Sequence, residues 1–153
     1  MVIARIVRLP VVLFLLAITV ASIIHARFPI PLGMPSFAVA MTAGGILLLA
    51  AVAIAGAALA AMKKHRTTVE PWQRPSSLVT GSVFAFTRNP IYLSLLLIVL
   101  GLALMADAFW FVVAAAVLWL VLDRVVIRSE ERIVEEAFAD QYVAYKNRVR
   151  RWL

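Results

Sequence analysis

The chain contains no cysteine and only two histidines among its 153 residues. The absence of cysteine excludes disulfide bonds, thiolate nucleophiles and cysteine-ligated metal centres. The histidines, His25 and His65, fall near the ends of different hydrophobic segments, where a solvated imidazole is a simpler interpretation than a metal ligand. The sequence therefore predicts no metal site.

Charged residues are also scarce. They make up 15% of the chain, whereas 64% of the residues are hydrophobic and the mean hydropathy is +0.98. A soluble domain requires far more polar surface, so the composition indicates an integral membrane protein. The formal net charge of +7 is explained by anionic head groups better than by nucleic acid, because no basic face is interleaved with exposed aromatic residues.

Long apolar runs predict four transmembrane helices, at about residues 9–24, 37–62, 90–105 and 108–126. A spanning helix requires ~20 apolar residues, so the first and third runs are short. No clear cleavage site follows the first run, and we expect it to be retained rather than removed as a signal peptide. Ala106-Asp107 predicts a tight turn. The predicted fold is an all-α integral membrane protein with a single domain, residues 1–153.

The basic residues orient these spans. Apart from Arg27, every Arg and Lys precedes the first span, lies between the second and third, or falls near or after the end of the fourth. Both termini are then expected on the cytoplasmic side, which we take to be that of the bacterial inner membrane. The segment Arg88–Tyr92 and the pair Glu130-Glu131 would share this side, at neighbouring ends of one helical hairpin.

The cytoplasmic loop, residues 63–89, is too long for a simple connector. Its segment Leu78-Val79-Thr80-Gly81 offers backbone groups and a glycine to a closely approaching ligand, with an ordinary surface turn as the alternative. Asn89 and Pro90 suit the N-cap and first position of the third helix. Capping does not explain the neighbouring Arg88 and Tyr92.

The last segment has the spacing of an amphipathic helix, with apolar residues at Ile127, Val134, Phe138, Tyr142, Tyr145, Val149 and Trp152. Such a helix lies along the membrane surface or folds back over the bundle.

Glu130 and Glu131 interrupt this apolar stripe. Helical spacing predicts a pair between Arg128 and Glu131, and pairs of Arg132 with Glu135 or Glu136. Glu130 has no comparable partner, and a carboxylate on a buried face is costly without one. A cationic ligand would be a suitable partner.

An ordered set of motifs closely resembles the isoprenylcysteine carboxyl methyltransferase and phospholipid methyltransferase superfamily. It comprises Arg66-Thr67-Thr68-Val69-x-Pro71, Leu78-Val79-Thr80-Gly81, Thr87-Arg88-Asn89-Pro90-x-Tyr92-Leu93, Glu130-Glu131, Phe138, Tyr142, Tyr145, Val149 and Arg150-Arg151-Trp152. The resemblance covers about residue 63 to the C terminus. At two positions the chain departs from it: many members have His in place of Asn89, and the usual Phe-Gly is Phe138-Ala139.

The resemblance implies S-adenosylmethionine as methyl donor, bound by residues in the regions 63–92 and 127–152. The implied donor-binding residues are Leu78, Val79, Thr80, Gly81, Asn89, Pro90, Tyr92, Glu130 and Glu131. The expected catalytic residues are Arg88, Tyr92 and Glu130. In this scheme the glutamates receive the ribose hydroxyls or the ammonium group, and Arg88 binds a carboxylate or a phosphate.

The expected acceptor is a lipid or prenylated small molecule that arrives through the membrane: a prenyl-type carboxylate, a phospholipid amine or another lipid. Arg74, Arg148 and Tyr142 are the candidates for its head group. Glycines of the second span (Gly44, Gly45 and Gly56) allow close helix contact or a cleft. The alternative function is a small four-helix transporter or a lipid-binding structural protein, although Asp107 and Asp123 lie at span ends rather than mid-span. The oligomeric state stays open.

Overall fold

A computed structural model describes the backbone of residues 3–65 and 77–153, with side chains from Pro10 onward. The helices are α1 (Ile3–Arg27), α2 (Phe37–Lys64), α3 (Pro90–Met105), α4 (Phe109–Val121) and α5 (Arg128–Arg148). A 3₁₀-helix covers Ser82–Ala85, and a π-helix covers Leu122–Ile127 between α4 and α5. The described residues contain no β-strand, which confirms the all-α prediction.

Three of these segments are long and apolar enough to cross a membrane: Pro10–Arg27, Phe37–Lys64 and the continuous helix that begins at Phe109. Helix α3 has 16 residues and is therefore roughly 24 Å long at 1.5 Å per residue. That length is below the ~30 Å of a bilayer core, so α3 requires a thinned bilayer or support from its flanks. The helices and the composition together identify an integral membrane protein.

The helices alternate in direction, which places the start of α3 and the end of α4 at the same end of the bundle. Helix α1 packs against α4, α4 against α3, and α3 against α2. The core lies between α1, α3, α4 and the π-helix, where Val99, Leu122 and Ile127 are fully buried. This arrangement leaves α2 at one side of the bundle.

Helices α2 and α3 are in close contact at two glycines, Gly44 and Gly101. A Cβ atom added to Gly44 would lie 2.6 Å from the carbonyl oxygen of Gly101 and would also overlap the side chain of Met105. Gly45 and Gly56 have open space around them instead. Of the three glycines in α2, only Gly44 is therefore required for close packing against α3.

The tight turn predicted at Ala106-Asp107 is present and ends α3 in a Schellman motif. The amide of Ala108 donates to the carbonyl of Ala103 at 2.9 Å, and Asp107 has a φ of 47°. The Asp107 carboxylate accepts hydrogen bonds from the amides of Leu32 and Met34 at 3.0 and 3.1 Å. Asp107 thereby joins the α1–α2 loop to the α3–α4 turn.

The predicted amphipathic helix is present as α5, and it folds back on itself. Its backbone is interrupted at Ala139, where φ is 42° and ψ is −118°. Beyond this kink, Tyr142 and Tyr145 are buried against Val134 and Leu78, among other residues. The second half of α5 is thus held by contacts with its own first half and with the segment that contains Leu78.

Candidate active site

The site lies at the end of the bundle where α3 begins and where the π-helix joins α5. The π-helix has six residues and continues from α4 into α5 without a break. Such segments insert extra residues into a helix and are frequent at functional sites. Here the π-helix and the start of α5 supply three carboxylates, those of Asp123, Glu130 and Glu131.

Glu130 contacts the first turn of α3. The hydroxyl of Tyr92 donates to its Oε1 atom at 2.5 Å. Glu130 lies beyond the apolar end of the fourth span. The pKa of Glu130 is raised to about 7, mainly because the carboxyl group is buried; the hydrogen bond from Tyr92 opposes this shift, and the negative charge of Glu131 contributes to it. In the described part of the chain, no cationic side chain lies within ion-pair distance of Glu130.

Glu131 is fully paired. Its Oε1 atom lies 3.0 Å from Nη1 of Arg88, and its Oε2 atom lies 2.6 Å from Nη2 of Arg151. Arg151 also donates from Nε to Oε1 at 3.2 Å, which makes the contact bidentate. The predicted pair between Arg128 and Glu131 is therefore wrong, because a bidentate guanidinium in a sheltered site is favoured over an exposed neighbour on the same helix.

The other predicted pairs within α5 are replaced as well. Glu135 pairs with Lys146 at 2.7 Å, across the kink at Ala139, rather than with Arg132. Lys146 also lies over the ring of Tyr142, 5.2 Å from its centroid. Folding back of the second half of α5 thus supplies partners that helical spacing did not predict.

Arg88 reaches two site groups and keeps one free donor. Its Nη1 atom contacts Glu131 at 3.0 Å and donates to the Tyr142 hydroxyl at 3.4 Å. Its side chain is only 12% exposed, and its Nε atom is buried without a hydrogen-bond partner among the described residues. Burial, reinforced by Glu131, raises the pKa of Tyr142 to about 12. The Nε–H group is therefore a buried donor whose hydrogen-bonding capacity is unused among the described residues.

Asn89 and Pro90 begin α3, but the Asn89 side chain does not cap the helix. Its Nδ2 atom instead donates to the carbonyl of Arg151 at 3.0 Å, and Thr87 Oγ1 donates to the same carbonyl at 3.2 Å. The amide of Arg88 donates to the carbonyl of Arg150 at 3.1 Å. Pro90 occupies the first turn, where its missing N–H costs nothing. The segment that begins α3 therefore binds the backbone of the C-terminal residues.

Sequence reasoning assigned no role to Arg151, Trp152 or Asp123. Nη1 of Arg151 and Nε1 of Trp152 both contact Oδ1 of Asp123 at 3.0 Å. The hydrogen bonds with Glu131 raise the pKa of Arg151 above its usual value. The Trp152 ring packs against Trp119, with centroids 6.4 Å apart. The sequence feature that could have predicted this cluster is Asp123, an aspartate within the last turns of the apolar run 108–126.

The loop segment Leu78-Val79-Thr80-Gly81 lies at the same end of the molecule. Leu78 packs against the tyrosines of α5, and Val79 is buried. Tyr145 donates to the carbonyl of Phe84 at 2.6 Å, which ties the 3₁₀-helix to α5. A Cβ atom added to Gly81 would meet nothing within 4 Å, so space is open beside this glycine.

Arg148, one of the predicted head-group residues, is exposed in the last turn of α5 and makes none of the contacts of this cluster. Arg74 lies outside the described residues. Tyr142 is buried at the cluster through its contact with Arg88. Among the described residues, no group of three metal-ligating side chains occurs.

One carboxylate of this cluster has no cationic partner among the described residues. Asp123 contacts the guanidinium groups of Arg124 and Arg151, and Glu131 contacts those of Arg88 and Arg151. Glu130 is hydrogen-bonded to the neutral Tyr92. A cationic ligand would be a suitable partner for the ionised form of Glu130.

The comparisons with curated proteins and with solved structures returned no match. A family model described as phospholipid methyltransferase matches residues 39–141. This match covers more than half of the chain and includes Arg88, Tyr92, Glu130 and Glu131, so the resemblance seen in the sequence is confirmed. The chain belongs to the phospholipid methyltransferase family, which identifies it as a methyltransferase with a lipid-related activity.

Proposed function

We propose that the protein transfers a methyl group from S-adenosylmethionine to a lipophilic acceptor at the cytoplasmic face of the membrane. The observation that carries this proposal is the carboxylate of Glu130, which has no cationic partner among the described residues, at the end of the bundle where Arg88 also keeps an unpaired donor. Family membership supports methyl transfer. The cytoplasmic side is supported by the basic residues gathered at this end of the chain's spans.

The residues present fit this methyl donor. When bound, the donor supplies a methyl group on a positively charged sulfonium, and transfer of that methyl leaves a neutral thioether. Its amino acid part adds an ammonium and a carboxylate. Glu130 would meet the positive charge, and Nε of Arg88 would bind the carboxylate. Backbone groups of Leu78–Gly81, beside open space, would receive the adenine.

In this scheme the protein aligns the donor with the acceptor and excludes water from the reacting groups, and it requires no catalytic triad. Tyr92 holds Glu130 in one position through the 2.5 Å hydrogen bond. Burial of Glu130 and Arg88 keeps water from the reacting groups, which favours a displacement in which charge is neutralised. A carboxylate acceptor requires no general base, and an amine acceptor must only be deprotonated.

The acceptor would reach the site from the membrane, because the site lies where two spans end. A prenyl-type carboxylate, a phospholipid amine and another lipid remain the candidate acceptors. Tyr142, Arg148 and Arg74 remain the candidate head-group contacts, with Tyr142 the one placed beside Arg88. Incubation of the protein with a lipid extract and isotope-labelled donor, followed by mass spectrometry, would identify the methylated product.

No observation favours the transporter or scaffold alternative. The acidic residues nearest the spans are both engaged at their ends, Asp107 with loop amides and Asp123 with Arg151 and Trp152. A proton-coupled transporter requires an acidic group that titrates along the transport path. Substrate flux into liposomes without methyl donor would support that alternative.

Calorimetry with the purified protein tests donor binding directly. We expect Glu130→Gln, which preserves shape but removes the charge, to weaken donor binding by about 10- to 100-fold, the loss typical of one charged hydrogen bond. Glu136→Gln is the matched control, because Glu136 is exposed on the same helix. Absence of donor binding to well-folded wild-type protein, or equal binding by the Glu130→Gln variant, would contradict the proposal.

A further inference from the structure

The two adjacent glutamates make different contacts. We propose that Glu131 is a positioning residue that fixes the C-terminal tail, Val149–Leu153, and that Glu130 is the carboxylate of the pair that meets the positive charge of the donor. This inference rests on the proposed function and divides between the two residues a role that the sequence assigned to both.

The charge of Glu131 is already balanced by cations of the protein. Its two oxygen atoms receive three contacts, one from Arg88 and two from Arg151. The side chain is only 15% exposed, so water replaces these partners poorly. A donor that bound Glu131 would have to displace a bidentate guanidinium, which would then lose a sheltered partner. Glu130 demands no such exchange, because its partner Tyr92 is neutral.

The tail is held mainly through Arg151. Its guanidinium bridges Glu131 in α5 and Asp123 in the π-helix, and its carbonyl accepts from Thr87 and Asn89. Glu131 thereby connects the tail to the segment that carries Arg88. The tail lies beyond residues 39–141, the range matched by the family model. The contacts of this chain, rather than the family match, assign the role to Glu131.

The position of the tail in turn affects the donor site. Arg88 donates through its amide to the carbonyl of Arg150 and through its side chain to Glu131. Loss of the tail would free the Arg88 amide and would remove the Arg151 guanidinium that holds Glu131, so the contact between Glu131 and the Arg88 side chain would no longer be fixed. Glu131 therefore acts on the donor through Arg151 and Arg88.

A double-mutant cycle measured by donor calorimetry tests this inference. We expect Glu131→Gln to weaken donor binding severalfold in the wild-type background and to have a clearly smaller effect in an Arg151→Ala background. Arg150→Ala is the matched control, because the Arg150 side chain is exposed and only its carbonyl is used. If Arg151→Ala does not fold, Arg151→Lys replaces it, since a lysine cannot bridge both carboxylates with a rigid fork.

Two results would overturn the inference. An equal fold-loss from Glu131→Gln in both backgrounds would mean that Glu131 binds the donor directly. Tighter donor binding by Arg151→Ala would mean that the donor displaces this arginine. If the wild-type protein does not bind the donor at all, the proposed function fails. The mobility of the tail then tests the anchoring role of Glu131 by itself.

Tail mobility is the second measurement. The chain has no cysteine, so a single Leu153→Cys substitution at this exposed residue can carry a nitroxide spin label without further changes. We expect Glu131→Gln to increase the mobility of the label and Glu130→Gln to leave it unchanged. Equal label mobility in wild type and Glu131→Gln would contradict the anchoring role whatever the donor affinity.

Discussion

At the residue scale, neighbouring side chains of the same type take different roles because their partners differ. Glu131 is paired with two guanidinium groups, Glu135 with Lys146, and Glu130 with the hydroxyl of Tyr92. For Glu131 the cost of burying a carboxylate is offset by these two cations of the protein, whereas Glu135 is 45% exposed and carries little such cost. For Glu130 that cost is expressed as a raised pKa of about 7.

The shifted pKa of Glu130 predicts pH-dependent donor binding. Since the cationic donor favours the ionised carboxylate, its affinity should rise about tenfold between pH 6 and pH 8, as the ionised fraction grows through a pKa of about 7. Calorimetry at several pH values measures this change. The same titration predicts net proton release on binding, visible as a dependence of the measured heat on the buffer.

Glu130→Gln is the control, since it retains any titration of the donor itself. If donor affinity depended on pH in the same way in the wild type and in Glu130→Gln, the titration could not be assigned to Glu130. Without donor, the stability of the folded state should change with pH in the opposite direction to donor affinity. The raised pKa of Glu130 stabilises the folded state fully below about 4.5, the ordinary pKa of a glutamate, and this contribution is lost as the pH rises through about 7.

At the element scale, the kink in α5 is where local preference and tertiary structure conflict. Ala139 has a φ of 42° and a ψ of −118°, a conformation that L-residues rarely adopt and glycine adopts readily. This position is also one at which the sequence departs from the Phe-Gly that the resemblance leads us to expect. The strain is maintained because the kink returns Tyr142, Tyr145 and Lys146 to their partners.

We predict that Ala139→Gly stabilises the protein by about 1 kcal/mol, the cost of a left-handed conformation for a residue with a Cβ atom. Thermal unfolding in detergent measures this change. Ala137→Gly is the matched control, since it lies in regular helix two residues earlier and should destabilise by about 1 kcal/mol. Equal destabilisation by both substitutions would show that the kink does not require a positive φ.

At the scale of the whole molecule, the two sides of the bundle are held by different means. Helices α1, α3 and α4 share an apolar core, whereas α2 meets α3 through small residues such as Gly44 and Ala51. In a membrane, where lipid is as apolar as a leucine side chain, such close contact is a main source of helix association. The position of α2 therefore depends on having glycine and alanine, rather than larger residues, where it contacts α3.

Gly44→Ala should destabilise the packing of α2 by about 1 to 3 kcal/mol, because the added Cβ atom would meet the backbone oxygen of Gly101 at 2.6 Å. Gly45→Ala is the matched control: its Cβ atom enters open space, and alanine favours the helix by about 1 kcal/mol. The free energy of unfolding in detergent should therefore fall in Gly44→Ala and rise in Gly45→Ala. A loss of stability no larger in Gly44→Ala than in Gly45→Ala would contradict the observed helix crossing.

The sequence by itself determined the membrane class, the helical segments and the ends of the molecule at which polar groups gather. These properties depend on the transfer of apolar residues into lipid and on local signals such as Pro90 and Asp107, which require no knowledge of distant partners. The family was also accessible from ordered motifs, including Arg88–Tyr92 and Glu130-Glu131.

Helical spacing already left Glu130 without a partner, but only the tertiary structure decided which residues pair with Glu131. The pairing of Glu131 with Arg151 joins residues 20 positions apart, and the contact of Arg88 with Tyr142 joins residues 54 apart. Their geometry depends on a π-helix and on a positive φ at Ala139, neither of which follows from hydrophobic spacing. Helical spacing describes one helix at a time, whereas the charge balance of this site is set by three segments that meet.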